Sequence, residues 1–171
     1  MGISVTGVEP GNTTVTINSK TSPNISKQVP VTVKSRNLLA YGPAEGNGLT
    51  ATVNSDGSLH VTGTATRQWA GLVWTFPCPV QGTVKLSGTG IAGLTASVKF
   101  LDAKGHQLDG QVTSGGNAVA IPAGTVSLRF EILSSEATPT AKDGDLRVQL
   151  ESGDTAHDWM RPDNTSLRGG V

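Results

Sequence analysis

The stretch Leu94 to Leu101 sets the terms for the chain. Leu94, Ala96, Val98 and Phe100 alternate with Thr95, Ser97 and Lys99. A period of two sends the first set to one side of an extended strand and the second to the other. The pattern recurs in Leu72, Trp74 and Phe76, and in Val84 and Leu86 set against Thr83, Lys85 and Ser87. Val126, Leu128, Phe130 and Ile132 alternate with Ser127, Arg129 and Glu131, and Leu146, Val148 and Leu150 with Arg147, Gln149 and Glu151. Leu49, Ala51 and Val53 precede Ser55-Asp56-Gly57-Ser58, and Leu59, Val61 and Gly63 follow it. Asp-Gly accepts the positive φ angles of a tight turn, so this pair of runs is a predicted hairpin. No span has helical periodicity. One-sided strands at short, turn-punctuated intervals must bury their apolar faces against a second sheet. The expected fold is all-β, an antiparallel two-sheet β-sandwich of the jelly-roll kind.

Composition agrees with many short strands. Glycine stands at 22 and proline at 9, while aromatics make up only 4% of the chain. The formal net charge is zero and no basic cluster is present, which argues against nucleic acid or an anionic membrane as partner. No apolar run approaches the ~20 residues of a membrane helix, so no membrane insertion is expected. No charged start leads into an apolar core, so no signal peptide is expected. The single Cys78, between Phe76-Pro77 and Pro79, reads as a structural thiol. Sequons at Asn12, Asn24 and Asn164 carry weight only in a eukaryotic secreted chain.

Ser35-Arg36 is the expected boundary. Before it, three strands are predicted: Ile3 to Val8, Thr13 to Ile17 after the turn Glu9-Pro10-Gly11-Asn12, and Val29 to Val33. Val8-Glu9-Pro10-Gly11-Asn12-Thr13-Thr14-Val15-Thr16 and Val29-Pro30-Val31-Thr32-Val33 resemble the last strands of a bacterial immunoglobulin-like domain. A complete domain of that type needs about seven strands. Residues 1–35 are therefore a partial immunoglobulin-like segment, either cut from a longer chain or pairing with a partner subunit.

From residue 36 to 160 the chain resembles the carbohydrate-binding-module-like jelly rolls of phage tail and other virion proteins. The resemblance rests on Asn37-Leu38-Leu39, Asn54-Ser55-Asp56-Gly57-Ser58 with Val61-Thr62-Gly63-Thr64, and Thr83-Val84-Lys85-Leu86-Ser87-Gly88. It continues in Phe100-Leu101-Asp102-Ala103-Lys104-Gly105 and Leu146-Arg147-Val148-Gln149-Leu150-Glu151-Ser152-Gly153. The resemblance implies a non-enzymatic virion module that attaches to a host cell-surface saccharide. Its alternatives are a capsid or tail decoration protein whose partners are other virion proteins, and an accessory module of a larger bacterial enzyme. It further implies an outward-facing place on the virion surface and a homo-oligomer, with a trimer as the expected state. Residues 161–171 are expected to form a polar tail: a disordered end, a linker, or an arm docking on a neighbour.

No catalytic constellation is visible. His60, His106 and His157 stand in unrelated contexts, and the acidic residues sit mostly at turns, where a carboxylate caps its own backbone. No cofactor is expected, apart from a structural calcium with Asp143 and Asp145, which flank Gly144, as its candidate ligands. Saccharide binding needs an aromatic plane to stack on a sugar ring and polar groups to bridge its hydroxyls. Trp69 is the foremost candidate, since it lies in a polar loop beside Arg67 and Gln68. Tyr41 is a second loop aromatic. Trp74 is in phase with the core, and Trp159 is expected to plug the end of the sandwich. A second candidate surface joins Arg129 and Glu131 to Arg147, Gln149 and Glu151, provided their two strands are neighbours, with cross-strand ion pairing as the plainer reading.

Overall fold

A computed structural model describes residues 10–22 and 24–170, in two compact units that divide after Ser35. The expected strand through Ile3, Val5 and Val8 lies outside the described residues. The first unit pairs β1 (Gly11–Asn18) with β2 (Ser26–Val33) in antiparallel register, with Val15 opposite Val29. Paired residues share a face, so Val15, Ile17, Val29, Val31 and Val33 line one side of this ribbon. On the other, the Thr32 hydroxyl donates to Asn12 Oδ1 at 2.8 Å.

Among the described residues, the second unit has ten strands. They are β3 (Ala44–Gly46), β4 (Leu49–Val53), β5 (Leu59–Gly63), β6 (Gly71–Pro77), β7 (Thr83–Thr89), β8 (Leu94–Leu101), β9 (Gln107–Thr113), β10 (Val119–Ala120), β11 (Ser127–Ser134) and β12 (Lys142–Ser152). One sheet has the order β10-β7-β12-β5-β4-β3 and the other β6-β11-β8-β9. The chain therefore crosses between sheets at β5–β6, β6–β7, β7–β8, β9–β10, β10–β11 and β11–β12. This alternation produces a jelly roll, to which the β3–β4 hairpin adds an edge. β12 is long because it serves two neighbours: Lys142 to Leu146 pair with β5, and Arg147 to Ser152 with β7.

The alternating apolar sets meet between the sheets. Leu72, Trp74, Val98, Phe100, Leu128, Phe130 and Ile132 on one sheet face Leu59, Val61, Val84, Leu86, Leu146, Val148 and Leu150 on the other, all buried. Trp74 stacks on its cross-strand partner Phe130 with ring centroids 5.4 Å apart. Tyr41 corrects the sequence reading. It is 1% exposed, packs edge-on to Trp74, and donates its hydroxyl to the Gly57 carbonyl at 3.0 Å. Burial pushes its phenol above the ordinary range, so the group stays a neutral donor. The hairpin turn at Asp56-Gly57 forms as expected, with Gly57 at φ 91°.

The opening and closing stretches of the unit adjoin. Leu38 N donates to Leu150 O at 2.8 Å, alongside the half of β12 that lies beyond β5. The Asn37 side chain stands in for a missing strand. Its Nδ2 donates to Val148 O and Met160 O, both at 2.9 Å, and its Oδ1 accepts from Leu39 N and Leu150 N, both at 3.2 Å.

The tail also departs from expectation, because it lies against its own unit. Residues 164 and 169 bridge to Ala40 and Ala44 in parallel, and Gly170 exchanges two backbone hydrogen bonds with Val73. This joins edge strand β3 of one sheet to edge strand β6 of the other. Gly169 permits it: a Cβ there would run into the Trp74 indole.

Candidate functional site

One end of the sandwich gathers the unusual backbone. Among the described residues, Asn47 (φ 50°) and Trp69 (φ 60°) are the non-glycine residues with positive φ. For a residue as bulky as tryptophan this conformation is disfavoured, by about 1–3 kcal/mol, and it persists only where surrounding bonds enforce it. Those bonds are present. Thr64 N donates to Gly48 O, Thr66 N to Asn47 O, and Trp69 N to Ser134 O at 2.7 Å. Asn47 Nδ2 donates to Gly71 O and Gln68 Nε2 to Ser135 O. The β3–β4 turn, the loop 64–70 and the start of the β11–β12 loop are thus stitched together.

The product is a held but uncovered indole: Trp69 is 57% exposed. Arg67 is exposed beside it, while Gln68 faces back and anchors the loop. Arg67 and Trp69 thus offer a cation and an aromatic plane to solvent, while Gln68 is spent on structure.

Glu136 steadies the same end. It accepts from Thr140 N and Lys142 Nζ, both at 2.8 Å, and from the Thr140 hydroxyl, closing the loop that supplies the Ser134 and Ser135 carbonyls. The hydrogen bond from Lys142, then those from Thr140, hold its carboxyl down to about 2. Asp56, Asp102 and Asp145 are held below the ordinary range by hydrogen bonds, and so is Glu151, where bonds from the His157 amide and the Gln149 amide outweigh the upward push of burial. A carboxyl lowered in the fold stabilises it fully above its unfolded pKa and loses that contribution as pH falls through the folded value. The expected Tm is flat from about pH 7 to 5 and falls between about pH 4.5 and 2. Differential scanning fluorimetry against pH tests this, and Glu136→Gln should flatten part of the slope.

The other candidates separate. β11 and β12 lie in different sheets, so Arg129 and Glu131 share no face with Arg147, Gln149 and Glu151. Gln149 is 0% exposed, although its strand phase points it away from the core. Residues 157–160 lie over it: Gln149 Nε2 donates to Asp158 O at 3.2 Å and its Oε1 accepts from Met160 N at 2.7 Å. Glu151 is covered by the same segment, accepting from His157 N and facing His157 Nδ1, both at 3.0 Å, with Arg36 Nε at 3.5 Å. Arg147 reaches Asp56 at 2.8 Å and lies over the Trp159 ring at 5.7 Å, so both are occupied in holding the C-terminal segment to the hairpin turn. Asp143 and Asp145 flank His60 at 3.4 and 2.9 Å, and Asp145 also accepts from Asn54. Among the described residues, no group of three or more His, Cys, Asp and Glu side chains is arranged to hold a metal ion.

Sequence reasoning passed over Lys99 as a site residue. Lys99 Nζ lies 3.0 Å from Glu131 Oε2, and Arg129 Nε 2.9 Å from Glu131 Oε1, on the outer face of the four-stranded sheet. The alternation marks all three as outward. Nothing local says that Lys99 and Arg129 sit directly opposite one another.

No protein-family model matches the chain, and no curated protein matches it either. Among solved structures, a chain of the accessory secretory protein 1, 2 and 3 structure from Streptococcus pneumoniae is similar, at 14% identity and a TM-score of 0.49. The match covers 71% of this chain and 98% of that one. A likeness of that depth carries no functional argument. What stands on the structure itself is an all-β, antiparallel two-sheet sandwich.

Proposed function

We propose that this protein is a non-enzymatic binding module of a phage virion, displayed on the virion surface, that attaches to a host cell-surface saccharide through the Trp69 loop. The observation that carries the reading is the exposed indole at φ 60°, in a loop held by bonds to two neighbouring loops. A tryptophan kept in a disfavoured backbone conformation and left uncovered contributes little to stability where it stands. Stacking on the apolar face of a pyranose ring gives it a use, and Arg67 beside it can bridge hydroxyl groups.

A glycan and cell-wall array on the purified chain, followed by titration of any hit, tests the proposal. Trp69→Ala is expected to weaken saccharide binding roughly tenfold to a hundredfold. Its Tm should stay close to that of the parent, and Trp69→Gly should unfold at the same or a higher temperature because glycine relieves the positive φ. Unchanged affinity in a folded Trp69→Ala variant sinks the reading. A large loss of Tm would instead make Trp69 a loop anchor.

A further inference from the structure

We infer that the outer face of the four-stranded sheet holds a second binding site, for an anionic group on a saccharide polymer, centred on Lys99 and Arg129. The argument is independent of the Trp69 loop. Two rows run across this sheet in register: Thr75, Arg129, Lys99 and Gln111, and beside them Val73, Glu131, Ser97 and Thr113. Lys99 and Arg129 are therefore direct cross-strand neighbours. Like charges so placed repel unless a counter-charge lies between or upon them.

Glu131 makes the pairing tolerable. It is 4% exposed, touches both cations, and accepts a long hydrogen bond from the Ser97 hydroxyl at 3.4 Å. One carboxylate against two cations leaves a local charge of +1. It also leaves donors over. Lys99 has three N–H donors and meets Glu131 with one contact. Arg129 Nε is buried and, though close to Glu131, is not aligned to donate to it. Among the described residues, its terminal nitrogens meet Gln107 Oε1, at 3.4 Å. The carboxylate thus acts as a post between two cations whose remaining donors have no protein acceptor among the described residues. The remaining carboxylate of this sheet, Asp109 on β9, falls in the stretch where β9 loses register with β8. A carboxylate or phosphodiester oxygen between Lys99 and Arg129 would complete the charge balance. Gln111 and Thr75, at the ends of the same row, are placed for hydroxyls of the adjoining sugar.

Two polysaccharides separate the sources of the anion: polygalacturonate for the carboxylate and a phosphodiester-linked phosphomannan for the phosphodiester. Dextran and duplex DNA are the controls. The intact chain is expected to bind one polyanion in preference to dextran and DNA, more weakly as salt rises. Lys99→Gln and Arg129→Gln should each lose at least tenfold with Tm nearly unchanged, while Lys99→Arg should bind like the parent. Glu131→Gln raises the local charge to +2 and should bind more tightly. Full binding by the folded Lys99→Gln/Arg129→Gln double variant, equal binding to DNA, or no polyanion binding would each overturn the inference. Trp69→Ala distinguishes the two sites, since it should spare polyanion binding by the sheet face.

Discussion

Trp74→Ala is expected to lower the unfolding free energy of the sandwich by about 3–5 kcal/mol, the usual range for deleting a fully buried tryptophan. That corresponds to a fall in Tm of roughly 10–15 °C for a unit of this size. Trp74 is 1% exposed, stacks on Phe130, meets the edge of Tyr41, and donates Nε1–H to the Gly42 carbonyl at 3.1 Å. Its loss opens a cavity between the sheets and orphans a buried carbonyl. It also removes the surface on which Gly169 rests, so the tail should loosen along with the core. Trp74→Phe keeps much of the volume and loses the donor, and should cost only about 1–2 kcal/mol. Gly169→Ala probes the tail alone: it should speed proteolysis after residue 160 with a smaller change in Tm. A fall of less than about 3 °C for Trp74→Ala would show that Trp74 does not anchor the core.

Asn37→Ala should follow it closely, with a loss of about 2–4 kcal/mol by chemical denaturation, since a buried group left without its partner costs about 1–3 kcal/mol. One side chain here serves four backbone groups, two donors and two acceptors, on three segments. Among side chains of this length, only the amide offers both halves of that demand. Asn37→Asp keeps the acceptor for Leu39 N and Leu150 N but turns an oxygen toward the carbonyls of Val148 and Met160. It should be at least as unstable as Asn37→Ala at pH 7 and recover partly as pH falls, because a protonated carboxyl regains one donor. Equal stability of Asn37→Asp and the parent at pH 7 would show that the donor bonds contribute nothing.

Much of this fold was legible from the chain because strand periodicity is a local property. Alternation in Leu94 to Leu101, Leu128 to Ile132 and Leu146 to Leu150 told which side chains face the core, and Asp56-Gly57 told where a hairpin turns; Val126, in phase with Leu128, instead precedes β11 and is exposed. Trp74 was placed in the core by its phase with Leu72 and Phe76. Trp69 stood out by the opposite sign, an aromatic in a polar loop, and it is exposed. Its positive φ left no trace in composition or period, since the bonds that impose it come from Asn47 and Ser134.

The sequence by itself determined the all-β class, the inward and outward faces of the strands, and the two-sheet requirement, all of which follow from side chains alternating along an extended backbone. Only the tertiary structure decided what lies over each outward face. Alternation points Gln149 and Glu151 away from the core, but residues 157–160 fold back across them and bury both. It cannot say that β11 and β12 part into different sheets, that Tyr41 leaves its loop for the core, or that Lys99 meets Arg129. These depend on which distant segments become neighbours, and that is settled by how the whole set of apolar faces closes at once.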